Sequence, residues 1–230
     1  MKAEDVRKRV VDLCQELARI GYFAATGGNI ALRIDAELLA VTPSATDYYT
    51  MCAHDVSVVR VSDLRQIEGA RPPSVETSLH ARVLRARPDC HCSIHTHPPV
   101  ASACTLLGQP MEVDTAERRR LLGPRVALVG YAPSGTGWLA AKLAKAVQPN
   151  VNAYLMRNHG VLCCGPDIAT ALQTLVALES LAADYLQRRI SARIALDPAS
   201  GQALQVVLDA LDGSMNTKPL TTVISSPSHP

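Results

Sequence analysis

Cys90-His91-Cys92-Ser93-Ile94-His95-Thr96-His97-Pro98-Pro99 is the stretch on which the reading of this chain turns. Residues 90–97 read as a strand, and the two prolines close it, because proline has no N–H to give to a ladder. Side chains two apart on a strand share a face, so His95 and His97 can meet one ion. Cys90 and Cys92 fall on the alternate positions and are expected to face away as packed thiols. An H-x-H pair alone is more often part of an ordinary sheet edge than a pair of ligands. Its place at the end of a strand, where a pocket can open, keeps the ligand reading in play.

Working upstream, Pro72-Pro73-Ser74 leads into VETSLHARVLRAR (75–87), which reads as a helix with Ser74 as its N-cap. Glu76 in the first turn is a candidate general base. A carboxylate there is equally well explained as a solvated residue favoured by the helix dipole. His80 lies one turn later on the same face and suits a supporting role better than a ligand role. Downstream, Asn158-His159-Gly160 forms a tight turn between apolar stretches at 152–158 and 161–164, with Gly160 permitting a positive φ. His159 is either a turn residue or a third ligand. Three neutral imidazoles with an open position describe a catalytic divalent site better than a closed structural one.

The remaining pattern supplies a scaffold. Val6, Val10, Leu13, Leu17 and Ile20 recur at helical spacing over 4–20, and Gly21 stops that helix. A turn at Thr26-Gly27-Gly28-Asn29 precedes strands at 30–34 and 38–42, and Pro43-Ser44-Ala45 ends the hairpin. Further strands are expected at 56–61 and 126–130. Further helices are expected at 99–107, 135–147, 167–190 and 201–211. Asn29 with Gly28, Thr42 and Ser44 after the second strand, and Ser74 before its helix could each offer groups to an anion. Turns are rich in such residues in any case.

The chain has 230 residues, 47% hydrophobic and 19% charged, which suits one globular unit. We expect a single domain over 1–212 and a disordered Ser/Pro/Thr-rich tail over 213–230. A net charge of +2 with no basic face gives no reason to expect a nucleic-acid partner. No apolar run is long enough to span a membrane, and the N-terminus lacks the apolar stretch of a signal peptide. A cytoplasmic location follows as the expectation. The seven cysteines form an odd set that such a compartment keeps reduced.

Taken together, G-G-N-I-A-L-R, V-T-P-S, P-S-V-E-T-S-L-H, S-I-H-T-H, Y-A-P-S-G-T and R-N-H-G-V resemble the class II aldolase/adducin family over about residues 5–190. The resemblance implies an α/β fold of three layers, α/β/α, around a central, mainly antiparallel sheet. It implies a small-molecule substrate and a cyclic C4 homotetramer with the active site between subunits. By position, His95, His97 and His159 match the metal histidines, and Glu76 matches the acid/base glutamate of the aldolases. Gly28, Asn29, Thr42, Ser44 and Ser74 fall where the family binds the substrate phosphate. Zn2+ is the first expectation for the ion, with Mn2+, Fe2+ or Co2+ as alternatives.

The expected reaction is aldol cleavage of a ketose 1-phosphate through an enediolate. Decarboxylation, epimerisation or dehydration is the alternative, and a non-catalytic adducin-like module is a third reading. Three departures matter. Ala45 stands where the family often has glycine, and Val75 stands where an aldolase of the family has a second serine. Asp114, with Glu117 nearby, stands where that aldolase has a proton-donating tyrosine.

Overall fold

The computed structural model describes residues 2–23, 27–197 and 201–216. Its helices are α1 (Ala3–Arg19), α2 (Thr77–Ala86), α3 (Pro99–Cys104), α4 (Ala116–Leu122), α5 (Gly137–Ala146), α6 (Ile168–Leu196) and α7 (Gly201–Asn216). The strands are β1 (Asn29–Arg33), β2 (Leu38–Val41), β3 (Ser57–Arg60), β4 (Gln66–Glu68), β5 (Cys92–Thr96), β6 (Met111–Glu112), β7 (Arg125–Val129), β8 (Ala153–Met156) and β9 (Val161–Gly165). They form one sheet in the order β4-β3-β2-β1-β5-β9-β8-β7-β6. Every pairing is antiparallel except β7 with β8, which α5 connects as the crossover a parallel pair requires.

The fold is the three-layer α/β/α arrangement. Strand alternation sorts the sheet's side chains into two cores. Ile30, Leu32, Cys92, Ile94, Val161 and Cys163 pack with residues of α1, α3 and α6 on one face. Ala31, Leu39, Val41, Leu162 and Cys164 pack with α2 and α5 on the other. β5 lies between β1 and β9, with Asn29 opposite His95 and Leu162 opposite His95 on the far side. His95 therefore starts from the middle of the sheet, on the α2/α5 face.

Most of the expected elements are present, and the differences have physical causes. β4 and β6 are short edge strands, and α4 buries only Leu122, so none carries much hydrophobic period. The signal for α4 lay in its cap, where the Thr115 hydroxyl accepts from Arg118 N–H. α2 begins at Thr77, two residues later than the expected helix interior, and Ser74 is not its N-cap. The Ser74 hydroxyl accepts from Glu76 N–H at 3.2 Å and shapes the turn ahead of the helix. α7 runs to Asn216, past the start of the expected tail, and residues 217–230 and Thr26 lie outside the described residues.

Cys90 precedes the regular part of β5 and so escapes its alternation. It lies on the α2/α5 face with its sulfur 3.5 Å from that of Cys164, while Cys92 occupies the opposite face as expected. The cysteines are free, and six are buried. Among the described residues, no helix is long and apolar enough to cross a membrane.

Candidate metal centre

The three histidines expected to share an ion come together. Their candidate ligand atoms all lie within 4.8 Å of one another. His95 is fully buried, and its Nδ1 lies 2.8 Å from the Val161 carbonyl oxygen. A carbonyl only accepts, so Nδ1 donates there, and Nε2 is turned towards His159 and Glu76. His159 Nε2 is 3.1 Å from His95 Nε2, and the two rings stack at 4.8 Å. The His97 ring stands edge-on to both. Imidazole nitrogens converging in this way are a donor set that could hold a divalent ion.

Local backbone explains how residues so distant in sequence meet. After His97, Pro98 is the N-cap of α3, whose first N–H groups at Val100 and Ala101 are held by the buried carboxylate of Glu179 at 2.9 and 2.7 Å. On the other side, the β8–β9 turn brings His159 over the end of β5. The positive φ of that turn falls on Asn158, at 55°, and not on Gly160. Gly160 is needed for a different reason. A Cβ there would come within 2.4 Å of the His97 ring and 2.8 Å of the Thr96 carbonyl.

Glu76 joins the same cluster. Its Oε1 is 3.0 Å from His159 Nε2, and its Oε2 is 3.2 Å from His95 Nε2. Two further groups reach it, with Asn29 Nδ2 donating to Oε2 at 2.9 Å and Ser134 Oγ donating to Oε1 at 2.7 Å. Burial pushes this carboxyl's pKa up, but the contacts from His159, His95 and Asn29 outweigh burial and hold it well below the usual carboxylate range. His97 is pulled down to about 4, first by burial and then by His95 and His159. Glu76 is thus held as a carboxylate and His97 as a neutral imidazole.

Behind Glu76 runs a buried chain of polar groups that the sequence reading did not assemble. Asn29 Oδ1 lies 2.7 Å from His80 Nε2, and His80 Nδ1 lies 2.8 Å from Ser93 Oγ. An amide oxygen only accepts, so His80 Nε2 carries its proton and Nδ1 accepts from Ser93. Burial pulls the His80 pKa down to about 3, with His95 adding to the effect.

The open side of the cluster is a cavity of about 270 Å³ lined by Gly27, Gly28, Asn29, Ser44, Thr46, Ser74, Glu76, His97, Ser134 and His159, among others. Gly28 is held at φ +106°, and a Cβ there would strike the Phe23 ring at 2.5 Å. Its carbonyl accepts from Tyr48 Oη at 2.6 Å. Ser44 and Ser74 sit on neighbouring loops joined by Ser44 N–H to Pro72 O and Ser74 N–H to Thr42 O. Ala45 adopts φ +47°, which is why glycine suits that position better.

Thr42 is not brought to the cavity. Alternation along β2 turns its side chain to the α1 face, where the hydroxyl bonds Ile30 N–H at 2.9 Å and meets Cys14 Sγ at 3.6 Å. Asp114 and Glu117 lie elsewhere in this chain, in a groove between α4 and α6. There Asp114 pairs with Arg118 and Arg188.

Comparison with known proteins gives the family. Residues 8–186 match the Class II Aldolase and Adducin N-terminal domain, and the chain belongs to that family. It is 26% identical over 208 residues to the L-fuculose phosphate aldolase of Haemophilus influenzae, covering 90% of this chain and 94% of the relative. It is 29% identical over 188 residues to the methylthioribulose-1-phosphate dehydratase of Yersinia pestis, covering 77% of this chain and 84% of the relative. Among solved structures, the YgbL protein of Klebsiella pneumoniae matches with a TM-score of 0.72 and 27% identity. That match covers 79% of this chain and 88% of that one.

Proposed function

We propose that this chain is a metal-dependent aldehyde-lyase of the class II aldolase type, cleaving and forming a carbon–carbon bond in a ketose 1-phosphate or a related sugar derivative. The observation that carries this reading is a buried carboxylate, Glu76, within 3.2 Å of two of three converging imidazoles at the floor of one cavity. His95, His97 and His159 hold one divalent ion, with Zn2+ first and Mn2+, Fe2+ or Co2+ as alternatives. When bound, such an ion supplies Lewis-acid stabilisation of negative charge developing on substrate oxygen.

In the cleavage direction the C3–C4 bond of the ketose breaks. The C4 hydroxyl gives its proton to the carboxylate of Glu76 and becomes the aldehyde, and the bonding pair stays with the three-carbon phosphate fragment. Glu76 delivers a proton to C3 of that fragment, yielding dihydroxyacetone phosphate, and removes it in the reverse direction. Gly28, Ser44 and Ser74 line the part of the cavity suited to the phosphate, with backbone and hydroxyl donors in place of cationic side chains.

We further propose that residues 1–212 act as one domain in a cytoplasmic C4 homotetramer whose active sites lie between subunits. Exposed Val75 at the cavity, with exposed Tyr131 and Trp138 on either side of Ser134 in the chain, supports a covered surface there.

A second reading within the family is dehydration, epimerisation or decarboxylation. It is favoured by Val75 at the cavity, by the separate location of Asp114, and by the likeness to a dehydratase. Metal analysis of the purified protein, followed by product assays with ketose 1-phosphates and with unphosphorylated keto acids, tests both. The aldolase reading expects about one ion per chain and an aldehyde product. A metal-bearing protein that instead releases water or carbon dioxide selects the second reading, and a metal-free, inactive oligomer overturns both in favour of an adducin-like module.

A further inference from the structure

Glu76 touches four groups, and two of them are imidazole nitrogens that metal binding claims. The other two are Ser134 Oγ on Oε1 and Asn29 Nδ2 on Oε2, at 2.7 and 2.9 Å. They are neutral donors, and each holds a different oxygen. We propose that Ser134 and Asn29 form a two-point clamp that fixes the carboxylate of Glu76 for proton transfer, which makes both of them positioning residues; the inference rests on the role of Glu76 proposed above.

Each arm of the clamp is itself anchored. Ser134 lies in the loop between β7 and α5. Thr136, the N-cap of α5, donates its hydroxyl to the Pro133 carbonyl at 2.7 Å. Lys142 of α5 bonds the Tyr131 carbonyl at 2.5 Å. Gly135, at φ +71°, packs against Val75, where a Cβ would come within 3.2 Å of the valine side chain. The loop is thus seated against the turn that carries Glu76.

Asn29 is held more firmly. It stands opposite His95 in the β1–β5 ladder and is backed by the buried His80 and Ser93. Its amide oxygen is engaged by His80 Nε2–H, so the amide cannot flip without leaving that donor unpaired and setting two acceptors face to face. This orientation aims the Asn29 amide at Glu76, which sets it apart from the loop residues that line the phosphate side of the cavity.

The test uses the full-length, zinc-loaded protein and follows deuterium exchange of dihydroxyacetone phosphate in D2O by NMR. Ser134→Ala is expected to lower kcat about 10- to 100-fold, as loss of a hydrogen bond to a charged group does, while KM stays within about twofold. Zinc content and thermal midpoint should hold, and Ser134→Thr should restore most of the rate. Asn29→Ala should likewise lower kcat and leave KM, whereas a direct substrate contact would raise KM. Unchanged kcat in Ser134→Ala, a threonine variant no better than alanine, or a loss in Asn29→Ala confined to KM overturns the clamp.

Glu76→Gln separates the proton-transfer role from the clamp. If that variant keeps full exchange, the proton-transfer role falls and the clamp with it. If it is inactive while Ser134→Ala is fully active, the clamp alone falls. A crystal structure of the zinc-loaded protein decides independently of turnover. Both contacts are expected to persist, and a carboxylate that has left either Ser134 or Asn29 overturns the proposal.

Discussion

Two of the polar clusters that contain carboxylates have surroundings that differ in kind. In the cavity, Glu76 is 6% exposed and is met by imidazole, amide and hydroxyl groups. In the α4/α6 groove, Asp114 and Asp184 are partly exposed and are met by the guanidinium of Arg118. The groove is already neutralised pair by pair, and water screens what remains. Among the described residues, no arginine or lysine lines the cavity, so its carboxylate and lone pairs can serve a cation or a proton in transit. The contrast separates a cluster that holds the surface together from one that can do chemistry.

The largest effect expected from breaking this contrast is at Glu76. Glu76→Gln should retain zinc and lose about 10²- to 10⁴-fold in turnover, measured as aldehyde release from a ketose 1-phosphate. Next is His159→Ala, which removes a donor and should weaken zinc binding by more than about 100-fold, beyond the cost of losing a supporting hydrogen bond. Competition with a chromogenic chelator measures it. Unchanged affinity would show that two imidazoles suffice.

A smaller effect should follow pH. His80 is neutral in the fold with its pKa lowered to about 3, while the unfolded chain takes up its proton near 6.5. A lowered folded value means that the stabilisation is complete above about pH 6.5 and is lost as pH falls towards 3. Between pH 7.5 and pH 5 the loss from this residue should be about 2 kcal/mol. Urea unfolding of wild type and His80→Gln at both pH values reads it as the difference between the two proteins. An equal pH dependence would mean that His80 is not held neutral.

The smallest effect belongs to the groove. Arg118→Ala should cost about 1 kcal/mol or less and leave zinc content unchanged. A loss of turnover as large as that of Glu76→Gln would erase the distinction between the two clusters.

Much of this arrangement was legible in particular residues. His95-Thr96-His97 gives a shared face through strand alternation, and Pro98-Pro99 gives its end. The helical spacing of Val6, Val10, Leu13 and Leu17 matches the buried face of α1. Ser44 and Ser74 do line the cavity with Glu76. Thr42 shows where such reading stops. Its sequence neighbours are site residues, yet one step of alternation turns it towards α1. Ser134 sat in a recognisable motif without an assigned role, because nothing in Y-A-P-S-G-T says which hydroxyl reaches a carboxylate 58 positions away.

The sequence by itself determined the alternation of strand faces, the apolar stripes of the helices and the kinds of donor atom available. Those properties are local, set by backbone periodicity and side-chain chemistry. Only the tertiary structure decided that β1 and β9 flank β5, that the turn at His159 closes over the strand end, and that Asn29 turns its amide towards Glu76 with His80 behind it. Strand order and hydrogen-bond direction depend on packing both faces of the sheet while satisfying every buried polar group at once, and no short segment of the chain carries that condition alone.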